Sequence, residues 1–195
     1  MSELSPWAQA GFIAPGDKWS VPQQKELTMR TPGIILTTAA VAAGLGVVAA
    51  PAQAEERTCR GALGAITVDN LRVPQDATCT LTRTYVKGTV KVERGATLKA
   101  DAVRVIGNIQ AENHRFVSVR NSSRVDGSLQ VKQGGGATVS NSIFGSDVQF
   151  FTNTGAISIR SNRIDGNLQC KSNRPAPTGG ANVVQGNKED QCARL

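Results

Sequence analysis

The strings "RVDGSLQV" (residues 124–131) and "RIDGNLQC" (residues 163–170) share five of eight letters, and their differences are conservative in size or polarity. Related phrases recur along much of the chain, each built around one glycine. These central glycines are Gly88, Gly107, Gly127, Gly145, Gly166 and Gly186. They are about 20 residues apart, and a fixed period of that length indicates a solenoid.

Apolar and polar residues alternate within each phrase, and a period of two predicts strands. A second strand precedes each phrase, as in "FVSV" from Phe116. The phrase "IFGSDVQF" carries one extra residue before Val148, which predicts a bulge. The pattern predicts an all-β, right-handed parallel β-helix of about six short rungs that stack their apolar columns about 4.8 Å apart. Two and three strands per rung both remain open.

The sequences of these rungs resemble those of a known group of β-helices. Their "V-x-N-S-x-I-x-G-N-L" style is similar to right-handed parallel β-helices of the pectate-lyase-like superfamily, over about residues 66–188. The ending "GNLQC…PAPTGG…GNKEDQC" also resembles a group of small uncharacterised exported bacterial proteins. The shared motifs are fold motifs, so the resemblance implies a fold and no catalytic residues.

The N-terminal region has the features of an export signal. "MRTPG" precedes the apolar run "IILTTAAVAAGLGVVAA", and "PAQA" supplies small residues at Ala52 and Ala54. This order predicts a signal peptide over residues 29–54, cleaved after Ala54, and a secreted or extracellular protein. A transmembrane anchor is the alternative, although the run is short for a bilayer. Residues 1–28 are then an upstream extension or leader, with Met1 and Met29 both candidate starts, and residues 55–195 form the β-helix domain.

Four cysteines lie in this domain: Cys59, Cys79, Cys170 and Cys192. An even count in an exported chain predicts disulfides. Three pairings are possible, and one pair near each end of the domain favours Cys59–Cys79 with Cys170–Cys192. We interpret both pairs and the "RPAPTGG" loop from Arg174 as caps on the solenoid ends. There is no C-x-x-C motif, so no metal site is predicted.

The chain has 22 Lys and Arg against 15 Asp and Glu, a formal net charge of +7. The basic residues are scattered singly, so a nucleic-acid interface is poorly supported. A positive exported protein is attracted to anionic surfaces such as cell-wall polymers and acidic polysaccharides. We expect no membrane contact after signal cleavage and no cofactor.

Outward positions of the stacked rungs form polar columns. One includes Asn108 and Asn167, and the next includes Gln110, Gln130, Gln149 and Gln169. Stacked amides can hydrogen-bond along the solenoid axis and only stabilise it. They can equally form a flat platform for a repetitive ligand such as a glycan. Aromatic rings usually complete such platforms, and Phe144 and Phe151 are the candidates.

A different column suggests an enzyme. Asp126 and Asp165 occupy equivalent positions two rungs apart, hence roughly 9–10 Å from each other, with Asp147 between them. Two carboxylates at about that separation can hydrolyse a glycosidic bond with inversion. Arg124 and Arg163 could hold an acidic sugar, or simply neutralise the acids. The single histidine, His114, is expected at a surface turn.

From sequence we therefore expect a secreted, non-enzymatic structural or adhesive β-helix. It would present a rigid polar surface to cell-wall or extracellular polysaccharide. The alternative is a small β-helical polysaccharide hydrolase or lyase that uses Asp126, Asp147 and Asp165. The sequence indicates neither a particular ligand nor an oligomeric state.

Overall fold

The computed structural model describes residues 55–195, so the predicted leader and signal peptide lie outside the described residues. Residues 55–195 form 22 short strands and no helix, and all strand pairs are parallel. Accordingly, no helix in this region could span a membrane. The predicted all-β parallel β-helix is confirmed.

The strands form three sheets. Sheet A contains β1 (Glu56–Thr58), β4 (Asn70–Val73), β7 (Val90–Val92), β10 (Ile109–Glu112), β13 (Leu129–Lys132), β16 (Val148–Phe151), β19 (Leu168–Lys171) and β22 (Lys188–Asp190). Sheet B contains β2 (Ala62–Leu63), β5 (Thr78–Thr82), β8 (Thr97–Asp101), β11 (Phe116–Arg120), β14 (Gly136–Ser140), β17 (Ile157–Arg160) and β20 (Thr178–Gly180). Sheet C contains β3 (Thr67–Val68), β6 (Tyr85–Val86), β9 (Arg104–Val105), β12 (Arg124–Val125), β15 (Ile143–Phe144), β18 (Arg163–Ile164) and β21 (Val183–Val184).

Each turn of the solenoid passes through sheets A, B and C in that order, so a turn has three strands. There are about seven turns, one more than predicted. The additional turn lies at the N-terminal end, where Leu71 pairs with Val90 although its segment lacks the glycine phrase. The repeat therefore extends beyond the part of the sequence in which its signature can be read.

All the repeated phrases except the fourth bend at their glycine. Val125 lies in sheet C and Leu129 in sheet A, with Gly127 at the corner between them. A Cβ atom on Gly127 would lie 2.6 Å from the carbonyl oxygen of Gly107 in the preceding turn. The corner therefore needs glycine because successive backbones approach too closely for a side chain.

The predicted bulge in the fourth phrase is wrong. Ile143 pairs with Arg124 and Val148 with Leu129, and four residues lie between the paired positions in both turns. No residue is inserted. The corner position is occupied there by residue 146, a serine, and Gly145 instead stacks at the position that an aspartate holds in neighbouring turns. Aligning the phrases on their glycines created the apparent insertion.

The core is a stack of apolar side chains that point inward from all three sheets. Its largest members, Phe144 and Phe150, are both fully buried. Phe144 is therefore not part of any outer surface, contrary to expectation, because the alternation in sheet C turns it inward. Phe151, the next residue along sheet A, points outward and is half-buried.

After the first turn, two corners of each turn use a left-handed backbone. Between sheets A and B, Asn113 has a φ of 51°, and between sheets B and C, Asn121 and Asn141 have φ values of 56° and 48°. Asparagine tolerates this conformation better than most residues. The Asn- and Ser-rich stretches of the sequence therefore lie at corners, with further positive φ values at Ala102 and Ser161.

Both predicted disulfides are present. Cys59 is bonded to Cys79 at the N-terminal end, and Cys170 to Cys192 at the C-terminal end. The "RPAPTGG" segment, interpreted from sequence as a cap, instead supplies strand β20 of sheet B and so belongs to the last turn. The disulfides are thus covalent links at both ends of a continuous solenoid.

Candidate ligand-binding face

The outer face of sheet A carries the predicted glutamine column at the middle of each strand. Its members stack in register along the sheet: Arg72, Lys91, Gln110, Gln130, Gln149, Gln169 and Glu189. The column is polar throughout, and charged residues flank the four amides at both ends. The sequence therefore predicted which side chains share this face.

The glutamines fall into two pairs with different hydrogen bonding. Gln149 Nε2 donates to Gln169 Oε1 at 2.8 Å, and Gln169 Nε2 donates to Glu189 Oε2 at 2.8 Å. Within residues 55–195, the side chains of Gln110 and Gln130 make no such bond. Their amides are half-buried, and each has donors and an acceptor without a partner in this part of the chain.

A second outward column on the same face was missed from sequence. It lies two residues after the glutamine column and contains Glu112, Lys132, Phe151 and Lys171 in register. Lys132 Nζ lies 5.8 Å from the centre of the Phe151 ring. The spacing of two residues after each glutamine, as in "QVK" and "QCK", is the signal that would have revealed this column.

Two adjoining depressions lie on this face. One, of about 330 Å³, is lined by residues that include Lys91, Glu93 and Gln110. The other, of about 270 Å³, is lined by Gln110, Gln130 and Lys132 among others. Because both include Gln110, they form one shallow groove across three turns. A smaller depression of about 160 Å³ lies at the N-terminal end, where the described residues begin.

The asparagine column has a different role from the glutamines. Asn108 Oδ1 accepts a hydrogen bond from the backbone N–H of Ser128 at 2.8 Å, and Asn167 Oδ1 accepts one from Asn187 at 2.8 Å. Asp147 occupies this column in the fourth phrase and accepts from the backbone of Asn167 at 2.8 Å. These side chains link successive turns at the glycine corner. Their Oδ1 atoms accept backbone hydrogen bonds and are therefore not available to a ligand.

The three aspartates of the enzyme hypothesis do not lie in one column. Asp126 and Asp165 share a column beside sheet C, with Gly145 between them. Asp126 is paired with Arg124 at 2.5 Å, and Asp165 with Arg163 at 3.3 Å. Asp147 lies in the asparagine column beyond the glycine corner. The arginines therefore neutralise the two aligned acids, as the simpler interpretation of the sequence expects.

His114 is buried, not at the surface as expected. Only 2% of it is exposed, and neither ring nitrogen has a hydrogen-bond partner among the described residues. Burial lowers the pKa of His114 below its ordinary value of 6.5, and the nearby backbone of Gly136 has the opposite, smaller influence. The ring packs against Gly134, where an added Cβ would lie 2.2 Å from Nδ1.

Within residues 55–195, no group of three or more His, Cys, Asp or Glu side chains is arranged to hold a metal ion. Comparison with known proteins adds no assignment. No family model, no curated protein and no solved structure matches the chain.

Proposed function

We propose that the protein is a secreted, non-enzymatic β-helix that binds an extended polysaccharide along the outer face of sheet A. The observation that carries this proposal is the groove at Gln110 and Gln130, whose amides have no partner within the described residues. Amides can both donate to and accept from sugar hydroxyls. The rungs repeat about every 4.8 Å, which suits a ligand that is itself repetitive.

The composition of the face favours an acidic glycan of the cell wall or extracellular matrix. Lys91, Lys132 and Lys171 bring positive charge to the two outward columns, and Phe151 adds the aromatic ring that sugar platforms use. Glu93 and Glu112 lie among them, so the charge is mixed. Specificity would therefore come from the amides and the ring, with the net charge of +7 adding long-range attraction.

Secretion is part of the proposal. Two disulfides are typical of proteins from oxidising compartments. The apolar segment before Glu55 has the order of a cleavable signal, and cleavage after Ala54 would release the β-helix. The resemblance to pectate-lyase-like β-helices and to small exported bacterial proteins is consistent with such an origin.

The proposal is tested by pelleting the oxidised protein with insoluble cell-wall material and with acidic and neutral polysaccharides, at low and high salt. We expect retention that persists at high salt and that falls at least tenfold when Gln110 and Gln130 are both changed to alanine. Thr138→Ala on sheet B is the matched control, because Thr138 follows Gln130 in the same turn but lies on another face. Retention lost in high salt for all variants would mean that net charge alone causes adhesion, and would refute a specific site.

The hydrolase alternative is tested in the same tubes by following new reducing sugar ends. The proposal predicts no release, and it predicts that Asp126→Asn and Asp165→Asn leave retention unchanged. Release that disappears in either variant while the fold is kept would overturn the binding proposal in favour of catalysis by these aspartates.

A further inference from the structure

The outer face of sheet C has an arrangement that the proposed glycan site does not use. Two outward columns run along it, and their members stack turn upon turn. The first, the arginine column, contains Tyr85, Arg104, Arg124, Ile143, Arg163 and Val183. The second, the aspartate column, contains Lys87, Ile106, Asp126, Gly145, Asp165 and Gln185.

This face exposes an unusual share of the apolar surface. Among the described residues, four large apolar side chains are exposed, and three of them belong to these columns: Ile106, Ile143 and Val183, at 36%, 36% and 60%. The fourth, Ile66, immediately precedes the first strand of the sheet. Sheet C therefore carries more of the exposed large apolar side chains than sheets A and B do.

Two turns of this face carry an arginine and an aspartate side by side, and Arg104 of the preceding turn also reaches Asp126, at 3.5 Å. Arg124 stands beside Asp126, and Arg163 beside Asp165. Each arginine uses its Nε for the aspartate of its own chain, which leaves its terminal N–H groups for a second carboxylate. Between these two turns lies one without charge, in which Ile143 projects and Gly145 leaves a gap beside it.

A second copy of this face fits the first in one orientation. When the copy is rotated by 180° about a line parallel to the solenoid axis, each turn faces its equivalent and the two columns exchange. Arg163 then faces Asp165 of the second copy, and Ile143 faces the gap at Gly145. Rotation about the strand direction instead sets arginine column against arginine column, which is repulsive.

We infer that the protein forms a symmetric homodimer through sheet C, with its two solenoids parallel. The contact is isologous, since the same surface serves both copies. Seven stacked strands give it a length of roughly 30 Å, but it is only two side chains wide. A contact of this size is typical of transient complexes, so we expect a dimer with a micromolar or weaker Kd.

The dimer leaves both sheet A grooves exposed. Two grooves in one particle would strengthen retention on a polymer that offers many equivalent sites. The inference itself does not depend on the glycan, because it rests on sheet C alone.

Charge exchange tests the inference, with sedimentation equilibrium of the oxidised protein expressed from its full 195-residue sequence. We expect a monomer–dimer equilibrium for the unaltered protein between about 1 and 300 µM. Arg163→Asp sets aspartate against aspartate in the dimer, and Asp165→Arg sets arginine against arginine, so each variant alone is expected to weaken dimerisation at least tenfold. Mixing the two variants restores opposite charges across the contact and should yield a heterodimer.

Arg160→Asp is the matched control, because Arg160 lies in the same turn on sheet B and undergoes the same charge change. It should dimerise like the unaltered protein. Ile143→Ser provides a second test at an exposed position, and we expect it to weaken the dimer without affecting folding. A protein that stays monomeric over the whole range, a mixture that fails to form heterodimers, or a dimer strengthened by Arg163→Asp would each overturn the inference.

Discussion

The two halves of the solenoid have the same backbone path but different chemistry at their buried corners. In the C-terminal half, side-chain amides form ladders from turn to turn. One ladder contains Asn153, Asn173 and Gln191, and the other Asn162 and Asn182. In the turns before these ladders, the equivalent corners contain His114 and Gly134 on one side and Thr84, Val103 and Ser123 on the other.

The difference lies in the number of hydrogen bonds that an amide side chain makes at a buried corner. Asn162 Oδ1 accepts from the backbone of Ser142 at 3.1 Å, while its Nδ2 donates to Val139 O at 2.9 Å and to Asn182 Oδ1 at 3.0 Å. One side chain thus satisfies buried groups of the turns before and after its own. Ser123 bonds to Val103 N and Arg120 O only. The C-terminal half should therefore tolerate corner substitutions less well than the N-terminal half.

Asn162→Ala tests this contrast most directly. It leaves the buried N–H of Ser142 without its partner and removes the bonds to Val139 O and Asn182 Oδ1, which together should destabilise the fold by about 4 kcal/mol. Ser123→Ala at the equivalent N-terminal corner should cost roughly 1–2 kcal/mol. Urea unfolding of both variants measures the difference, and equal losses would show that the amide ladder has no special weight.

Removing the disulfide at either end should lower the free energy of unfolding by a similar amount, unlike the two corner substitutions. Each disulfide closes a loop of about 20 residues, so replacing either pair with alanines should cost about 3 kcal/mol. The comparison is Cys59→Ala with Cys79→Ala against Cys170→Ala with Cys192→Ala, in the same denaturation assay. A loss confined to one end would show that the other closes its turn without help from its disulfide.

The glutamine column also contains amides with and without side-chain partners, and substitutions there should have smaller effects on stability. Gln169→Ala removes two side-chain hydrogen bonds on a partly exposed face and should cost about 1 kcal/mol. Gln130→Ala removes none and should leave the free energy of unfolding nearly unchanged. A substantial loss for Gln130→Ala would mean that its amide stabilises the fold, which would weaken its assignment to a ligand.

The smallest expected effect is a pH dependence that originates in the N-terminal half. Because burial lowers the pKa of His114 below 6.5, the unfolded chain takes up this proton at higher pH than the folded one. The stability associated with His114 is therefore complete above about pH 6.5 and decreases as the pH falls below it. Melting curves between about pH 7.5 and 5.5 should show the decrease in the unaltered protein and a flatter profile in His114→Asn. Identical slopes would exclude His114 as the cause.

Some features of the site could be predicted from sequence because they repeat. The glutamine column follows from a period of about 20 residues, and the disulfide pairing from the position of cysteines at the two ends. Others could not be. Phe144 and Phe151 both look like candidates for an outer ring, and only the path of the chain through sheets C and A places the first inside and the second outside.

His114 shows the same limit. A lone histidine among polar residues in "AENHRF" indicates a surface turn, but the glycine at position 134 in the next turn makes room for its ring in the interior. The residues of the arginine and aspartate columns of sheet C can likewise be read from the sequence. Their complementarity depends on which turn lies against which, and that is a property of register.

The sequence by itself determined that this protein is a parallel β-helix with linked ends, because alternation and period are local properties that every turn repeats. The tertiary structure alone decided that each turn has three strands, that Ser146 and not Gly145 takes the glycine corner, and that Phe144 and His114 lie inside the solenoid. The physical reason is that a residue's neighbours in a solenoid lie about 20 residues away. Stacking between turns, and not the chain's local preferences, determines what each side chain contacts.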